Sequence, residues 1–140
     1  MASPTQFQLQ IVSADRSLVD ETVDEVEIPG AEGYFGVLAG HTPLLALLGA
    51  GELWYRQGSE THYLVLALGF AEVQPDRVTI LAQTAEHANE VDLARAEAAK
   101  QRAEGRLAKS HPDMDFERAR LALMKSIIRL QVASKARTRG

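Results

Sequence analysis

Hydrophobic side chains recur along this chain with two different periods, and the change from one to the other divides it. In QFQLQIVS, Phe7, Leu9 and Ile11 alternate with Gln6, Gln8 and Gln10, the two-residue period of a strand with one buried face. VDEVEIPG repeats the idea, with Val26 and Ile28 on either side of Glu27 and Pro29-Gly30 as the stop. GELWYRQ, THYLVLALG, FAEVQP and RVTILAQTA continue the series, separated by turn residues such as Gln57-Gly58-Ser59 and Pro75-Asp76. Short strands at hairpin spacing, with no helical pattern between them, predict an antiparallel β-sandwich or barrel over residues 5–86.

After Ala88 the period lengthens to that of a helix. In NEVDLARAEAAKQRAEGRL, Asn89 reads as the N-cap, with Asp92 three residues on and acidic side chains near the positive end. This helix is expected to run to about Ala108. KSHPDMD then breaks it, because Pro112 disfavours helix at His111, and Asp113 or Asp115 caps a second helix ending near Ala133. The final KARTRG reads as frayed. Two helices with a short break form a hairpin, so the expected organisation is a β-sandwich domain over 1–88 and a two-helix domain over 89–140.

The helix faces are informative. Ala96, Ala99, Ala103 and Leu107 fall on one narrow stripe. An alanine methyl contributes about 0.8 kcal/mol when fully buried, against roughly 1.5–3 for a leucine-sized side chain. Such a helix has high intrinsic propensity but a weak grip, and is expected to stay helical while detaching easily. Arg95, Arg102 and Arg106 lie within about 40° of one another, and Arg118, Lys125 and Arg129 repeat that spacing on the second helix. Opposite them runs an apolar face of Phe116, Leu123, Met124, Ile127, Ile128 and Leu130, wider than an alanine stripe covers. That helix is expected to dock on the β-domain, on another protein, or on each in turn. For the basic stripes, a solvated face competes with docking on an acidic protein surface or holding an anionic ligand. Nucleic-acid binding fits less well, because Phe116 is the tail's one aromatic residue.

Charge sharpens the division. The net −4 hides a body, residues 1–88, with 3 Lys/Arg against 12 Asp/Glu, and a tail with 12 against 7. Two electrically different surfaces imply different partners. The apolar fraction of 46% suffices for a core, and the absence of cysteine excludes disulfides and thiol chemistry. No run of about 18 apolar residues is present, and MASPTQFQLQ lacks the basic and apolar regions of a signal peptide. A cytoplasmic protein is therefore expected.

Chemical sites are sparse. The glycines of GAEGYFGVLAGH lie between β-like runs, so they are expected at turns and bulges rather than in a phosphate loop. His41, His62, His87 and His111 are scattered singly, so no metal site is expected. Ser13 and Asp15 adjoin no hydrolase motif, and Asp24 and Glu25 sit in an acidic run. No catalytic residue is expected. From the residues alone the chain reads as a β-domain with a mobile basic hairpin that binds an acidic protein. A free-standing adaptor or nucleic-acid-binding module is the rival.

Two long segments carry a family resemblance. IVSADRSLVDETVDEVEIPGAEGYFGVLAGHTPLL ends in the motif Gly40, His41, Pro43, Leu44, and GFAEVQPDRVTILAQTAEHANEVDLARAEAAKQRAE spans the junction. Together they resemble the bacterial F-type ATP synthase epsilon subunit along nearly the whole chain. The resemblance implies a β-sandwich followed by a helical hairpin, with no catalysis by this chain. It implies a place in the rotating central stalk, bound to the gamma subunit and resting on the c-ring, peripheral to the cytoplasmic face of the inner membrane. The loop Glu32 to His41, including Tyr34, would face the ring and stalk. Ala39 stands where a proline commonly precedes the Gly-His pair, and Tyr34 where some relatives are acidic.

The tail's implied role is regulatory. Folded down it permits rotation, and extended along gamma it inhibits ATP hydrolysis. Residues 92–134 would reach about 65 Å as one continuous helix, against roughly 25–30 Å folded back. Arg118, Lys125 and Arg129 would then meet acidic residues of the catalytic beta (and alpha) subunits. Some members bind ATP through aliphatic-Asp-x-x-Arg-Ala, which stands here as Val91, Asp92, Arg95 and Ala96, with Arg102 on the same face as Arg95. Weak regulatory ATP is thus expected, with no required cofactor.

Overall fold

The computed structural model describes residues 4–109 and 115–139, with side chains as far as Lys135. The chain forms two compact units, divided between His87 and Ala88. Eight strands build the first: β1 (Phe7–Ser13), β2 (Ser17–Val23), β3 (Glu25–Gly30), β4 (Gly33–Leu38), β5 (Leu44–Leu47), β6 (Ala50–Gln57), β7 (Glu60–Val73) and β8 (Arg77–His87). Their order is β2-β1-β8-β7-β6-β3-β4, with β5 beside β7. Pairing is antiparallel throughout except between β1 and β8, which run parallel.

The sheet folds over on itself into a sandwich. β2, at one end of the order, packs against β6 near the other. The Tyr55 hydroxyl on β6 donates to the Glu21 carboxylate at 3.4 Å, and the Gln57 amide donates to the Thr22 carbonyl at 3.1 Å. Between the layers lie Leu9, Ile11, Val26, Ile28, Leu53, Leu64, Leu66 and Ile80, all fully buried. The alternation in QFQLQIVS is realised in β1, where Phe7, Leu9 and Ile11 point inward. Burial, then the Glu21 carboxylate, push the Tyr55 hydroxyl up to about 12, so it stays neutral and keeps donating.

Where two separate runs were expected from THYLVLALG and FAEVQP, the chain forms the single 14-residue strand β7. Its first part pairs with β6 as far as Ala67, and its last part pairs with β5 from Phe70. The change of partner falls at Leu68 (φ 62°) and Gly69 (φ 116°). Leu68 N–H donates to the Gly49 carbonyl at 3.1 Å, and Leu48 N–H donates to the Gly69 carbonyl at 2.9 Å. A Cβ on Gly69 would overlap the Leu81 carbonyl of β8, so glycine is required there twice over.

The stretch read as one loop from Glu32 to His41 contains β4, paired along its length with β3. Gly33 (φ 135°) makes the turn, while Gly36 is an ordinary strand residue. Glycine density hid this strand, and Val37, fully buried, is the residue that holds it inward.

In the second unit a 3-10 turn (Ala88–Glu90) leads into α1 (Leu93–Ala108), followed by α2 (Phe116–Arg139). The N-cap of α1 is Asp92, not Asn89: its carboxylate accepts the Arg95 N–H at 3.1 Å. Asn89 is instead part of the 3-10 turn, which Val91 N–H closes on the Ala88 carbonyl. Asp115 caps α2 by accepting the Arg118 N–H at 3.0 Å. Asp113, like His111 and Pro112, lies outside the described residues. Rather than ending near Ala133 and fraying, α2 continues to Arg139, since Lys135-Ala136-Arg137 are good helix formers and Gly140 is the first breaker.

α1 and α2 pack against each other. The buried positions are Ala96 and Ala103 on α1 and Ala119, Ser126, Val132 and Ala133 on α2. The broad apolar face, wider than an alanine stripe covers, is left partly open, with Phe116 53% and Met124 40% exposed. Small residues win the seam because they let two backbones approach closely, which large side chains prevent.

Candidate functional site

Each unit carries its own candidate surface. On the sandwich, Glu32 sits in the exposed turn between β3 and β4, and His41 follows the far end of β4. The six-residue strand between them spans about 17–20 Å, so the two residues occupy opposite ends of it. Tyr34 lies on β4 near the Glu32 end. Its ring crosses Gly51, where any Cβ would come within 2.5 Å of the hydroxyl, and Glu52 N–H donates to that hydroxyl at 3.2 Å. Tyr34 is thus pinned by its oxygen while the ring stays 57% exposed. His41 Nδ1 donates to the Thr42 carbonyl at 2.6 Å, and its N–H donates to the Leu38 carbonyl at 3.3 Å. Gly40 N–H is tied to Pro75 of the β7–β8 turn. Glu32 therefore shares its surroundings not with His41 but with β5: a cavity of about 490 Å³ is lined by Glu32, Gly33, Phe35 and Leu44–Leu47.

The more informative feature here was missed in the sequence. Leu47 on β5 stands opposite Phe70 on β7, which stands opposite Leu81 on β8. Directly opposed residues share a face, and these three are 71%, 43% and 40% exposed. Leu45, on the same side of β5, is 70% exposed. Together they form a contiguous exposed apolar row on one face of the sheet. The available signal was LLALL, Leu44 to Leu48, apolar at every position. A strand apolar on both faces needs cover on both.

Asp24 and Glu25 are structural. The Asp24 carboxylate accepts the Gly58 N–H at 2.6 Å and the Gln6 amide at 3.3 Å, and Arg56 lies 3.6 Å from it and 3.5 Å from Glu25. The Gly58 bond first, then Gln6 and Arg56, hold Asp24 below the usual carboxylate range. Ser13 donates to Asp15 at 2.7 Å within a turn, lowering Asp15 likewise. Among the described residues no cluster of metal-ligating side chains exists, and no helix is long and apolar enough to cross a membrane.

On the helical unit, the five residues of the nucleotide pattern separate by role. Asp92 caps α1, while Val91 and Ala96 are buried in packing. Arg95 and Arg102 line a cavity of about 450 Å³ with Ala98 and Ala99, and Arg129 of α2 closes it. Three arginines and two alanines lining one cavity suit a polyanion, because arginine forks bind phosphate oxygens in pairs. Arg129 shares its helix spacing with Arg118 and Lys125, but in the hairpin it lines the same cavity as Arg95 and Arg102. Helix periodicity orders residues on one helix; it is silent about which residues of two helices converge.

The chain matches two family models. One, "ATP synthase, Delta/Epsilon chain, beta-sandwich domain", covers residues 6–88. The other, "ATP synthase, Delta/Epsilon chain, long alpha-helix domain", covers residues 89–134. The ATP synthase epsilon chain of Syntrophobacter fumaroxidans is 47% identical over 93% of this chain and 97% of its own. That of Nitratidesulfovibrio vulgaris is 44% identical with the same coverage of each. Among solved structures, a chain of the Euglena gracilis mitochondrial ATP synthase OSCP/F1/c-ring complex aligns with TM-score 0.80 and 25% identity. The alignment covers 99% of this chain and 84% of that one. A chain of the Tetrahymena thermophila central stalk/c-ring structure shares the fold at TM-score 0.56 and 14% identity, over 96% and 98%.

Proposed function

The chain belongs to the ATP synthase delta/epsilon family as an epsilon subunit of the F-type enzyme, and on that premise we propose a division of labour between its two units. The sandwich is the fixed part, non-catalytic, seated on the gamma subunit through the Leu45, Leu47, Phe70 and Leu81 face. The Glu32–Tyr34 turn is turned to the c-ring, and His41, at the other end of β4, is a stalk contact. A rotating part must transmit torque without slipping. An apolar face on a rigid sandwich, with Tyr34 pinned to Glu52, supports that use. The subunit is held peripherally at the cytoplasmic face of the bacterial inner membrane through these partners.

The helical unit is the regulatory part. Folded, it leaves the motor free; extended along gamma, it carries Arg118, Lys125 and Arg129 to acidic surfaces of the catalytic beta and alpha subunits and blocks ATP hydrolysis. ATP bridging Arg95, Arg102 and Arg129 favours the folded form, because the last of these lies on the other helix. A ligand stabilises whichever form holds it better. The observation that supports this reading is the seam: the side chains buried between the two helices are mainly alanine-sized, and such side chains contribute little apolar area each. Removing residues 89–140 from the assembled enzyme is expected to raise ATP hydrolysis while leaving the complex intact. Unchanged hydrolysis in an intact complex would refute the inhibitory role, and loss of the complex would refute the assignment of anchoring to the sandwich.

A further inference from the structure

The seam between the helices contains, among the described residues, one buried polar side chain. Ala96 and Ala103 of α1, and Ala119, Ser126 and Ala133 of α2, are buried at seven-residue spacing on two helices packed together. Ser126 is 3% exposed, the buried polar residue among those described. Its hydroxyl donates to the Ala122 carbonyl at 2.9 Å, one turn back in its own helix. The bond is therefore not made across the seam, and parting the helices does not break it.

Resting on the reading that the hairpin opens, we infer that Ser126 sets how readily α1 and α2 part. In the closed seam its hydroxyl is bonded to the Ala122 carbonyl and, at 3% exposure, is shielded from solvent. In the parted helices it keeps that partner, and both the hydroxyl oxygen and the Ala122 carbonyl recover water. An alanine at 126 has the same bulk at Cβ but no such gain, and its methyl favours the closed seam. A valine or leucine would force the backbones apart by size. Serine is thus the side chain that fits the close approach and still tilts the equilibrium towards opening. A hydroxyl bonded back to its own helix also strains the helix slightly rather than locking it.

The natural chain has no cysteine, which provides a direct assay. A thiol introduced by Ala103→Cys is covered in the closed seam and reacts with a soluble thiol reagent only when the helices part. Its reaction rate then follows the open fraction even when that fraction is small. In this background Ser126→Ala is expected to slow labelling about three- to tenfold, the range set by one buried neutral hydroxyl, with far-UV helicity unchanged. A labelling rate that is unchanged or faster overturns the inference, whatever the hydrolysis assay reads. The same substitution in the assembled enzyme, with native Ala103, is expected to relieve inhibition of ATP hydrolysis. Slower labelling with unaltered hydrolysis would leave the seam inference standing and overturn the inhibitory-arm reading instead.

Discussion

Gly69→Ala tests the crossing point on which the sandwich depends. At φ 116° the backbone of residue 69 is in a region that L-residues rarely enter, a strain of about 1–3 kcal/mol. The added Cβ would also overlap the Leu81 carbonyl and lie 3.0 Å from Ala82 Cα, both on β8. Neither atom belongs to a flexible side chain, so relief requires β7 and β8 to move apart, a cost of about 1–3 kcal/mol by analogy with overpacked cores. The two effects together come to about 4 kcal/mol at their middle values. That is a large share of the ~5–15 kcal/mol by which a domain is stable. For a domain of this size each kcal/mol moves Tm by about 4–8 °C, so a drop on the order of 15–30 °C is expected. Trp54, the chain's one tryptophan, lies on β6, so its fluorescence reports the sandwich without signal from the helices. Gly36→Ala is the control: a Cβ there meets nothing within 4 Å, on a strand with ordinary φ, and a change within about 0.5 kcal/mol is expected. Gly69→Ala melting within a few degrees of the parent would refute the claim that the bend needs glycine.

Two further outcomes follow from named contacts. The Asp24 carboxyl is held low by Gly58 N–H, then Gln6 and Arg56, so its contribution is present above the unfolded-state value and fades as pH falls through the lowered folded one. Asp24→Asn is therefore expected to flatten the acid limb of a Trp54-monitored pH titration, and an acid limb identical to the parent's would refute it. If ATP sits between Arg95, Arg102 and Arg129, Arg129→Ala is expected to weaken calorimetric ATP binding about tenfold or more, as loss of a charge-assisted contact does. Unaltered affinity would remove Arg129 from the site, and no heat at millimolar nucleotide with the parent chain would remove the site itself.

What the amino-acid sequence determined by itself was the pattern that local chemistry imposes. Phe7, Leu9 and Ile11 had to face one way because a strand alternates, and Ala96 and Ala103 had to share a stripe because a helix turns by about 100° per residue. Asp115 could cap because a short carboxylate reaches the third N–H. The division into an acidic β-unit and a basic helical unit was likewise plain in the charges, and the two family segments were legible in their motifs. What only the tertiary structure decided were relations between distant segments. Nothing in THYLVLALGFAEV says that one strand serves two partners through a bend at Leu68-Gly69. β4 was masked by glycines whose strand role comes from pairing with β3. The exposed row of Leu47, Phe70 and Leu81 exists only once β5, β7 and β8 lie side by side, and Arg129 joins Arg95 and Arg102 only once the hairpin closes. Periodicity is a property of one segment and its own backbone. Register between strands, convergence across a hairpin and the choice of a small-residue seam over a broad apolar face depend on which surfaces meet, and that is settled by packing.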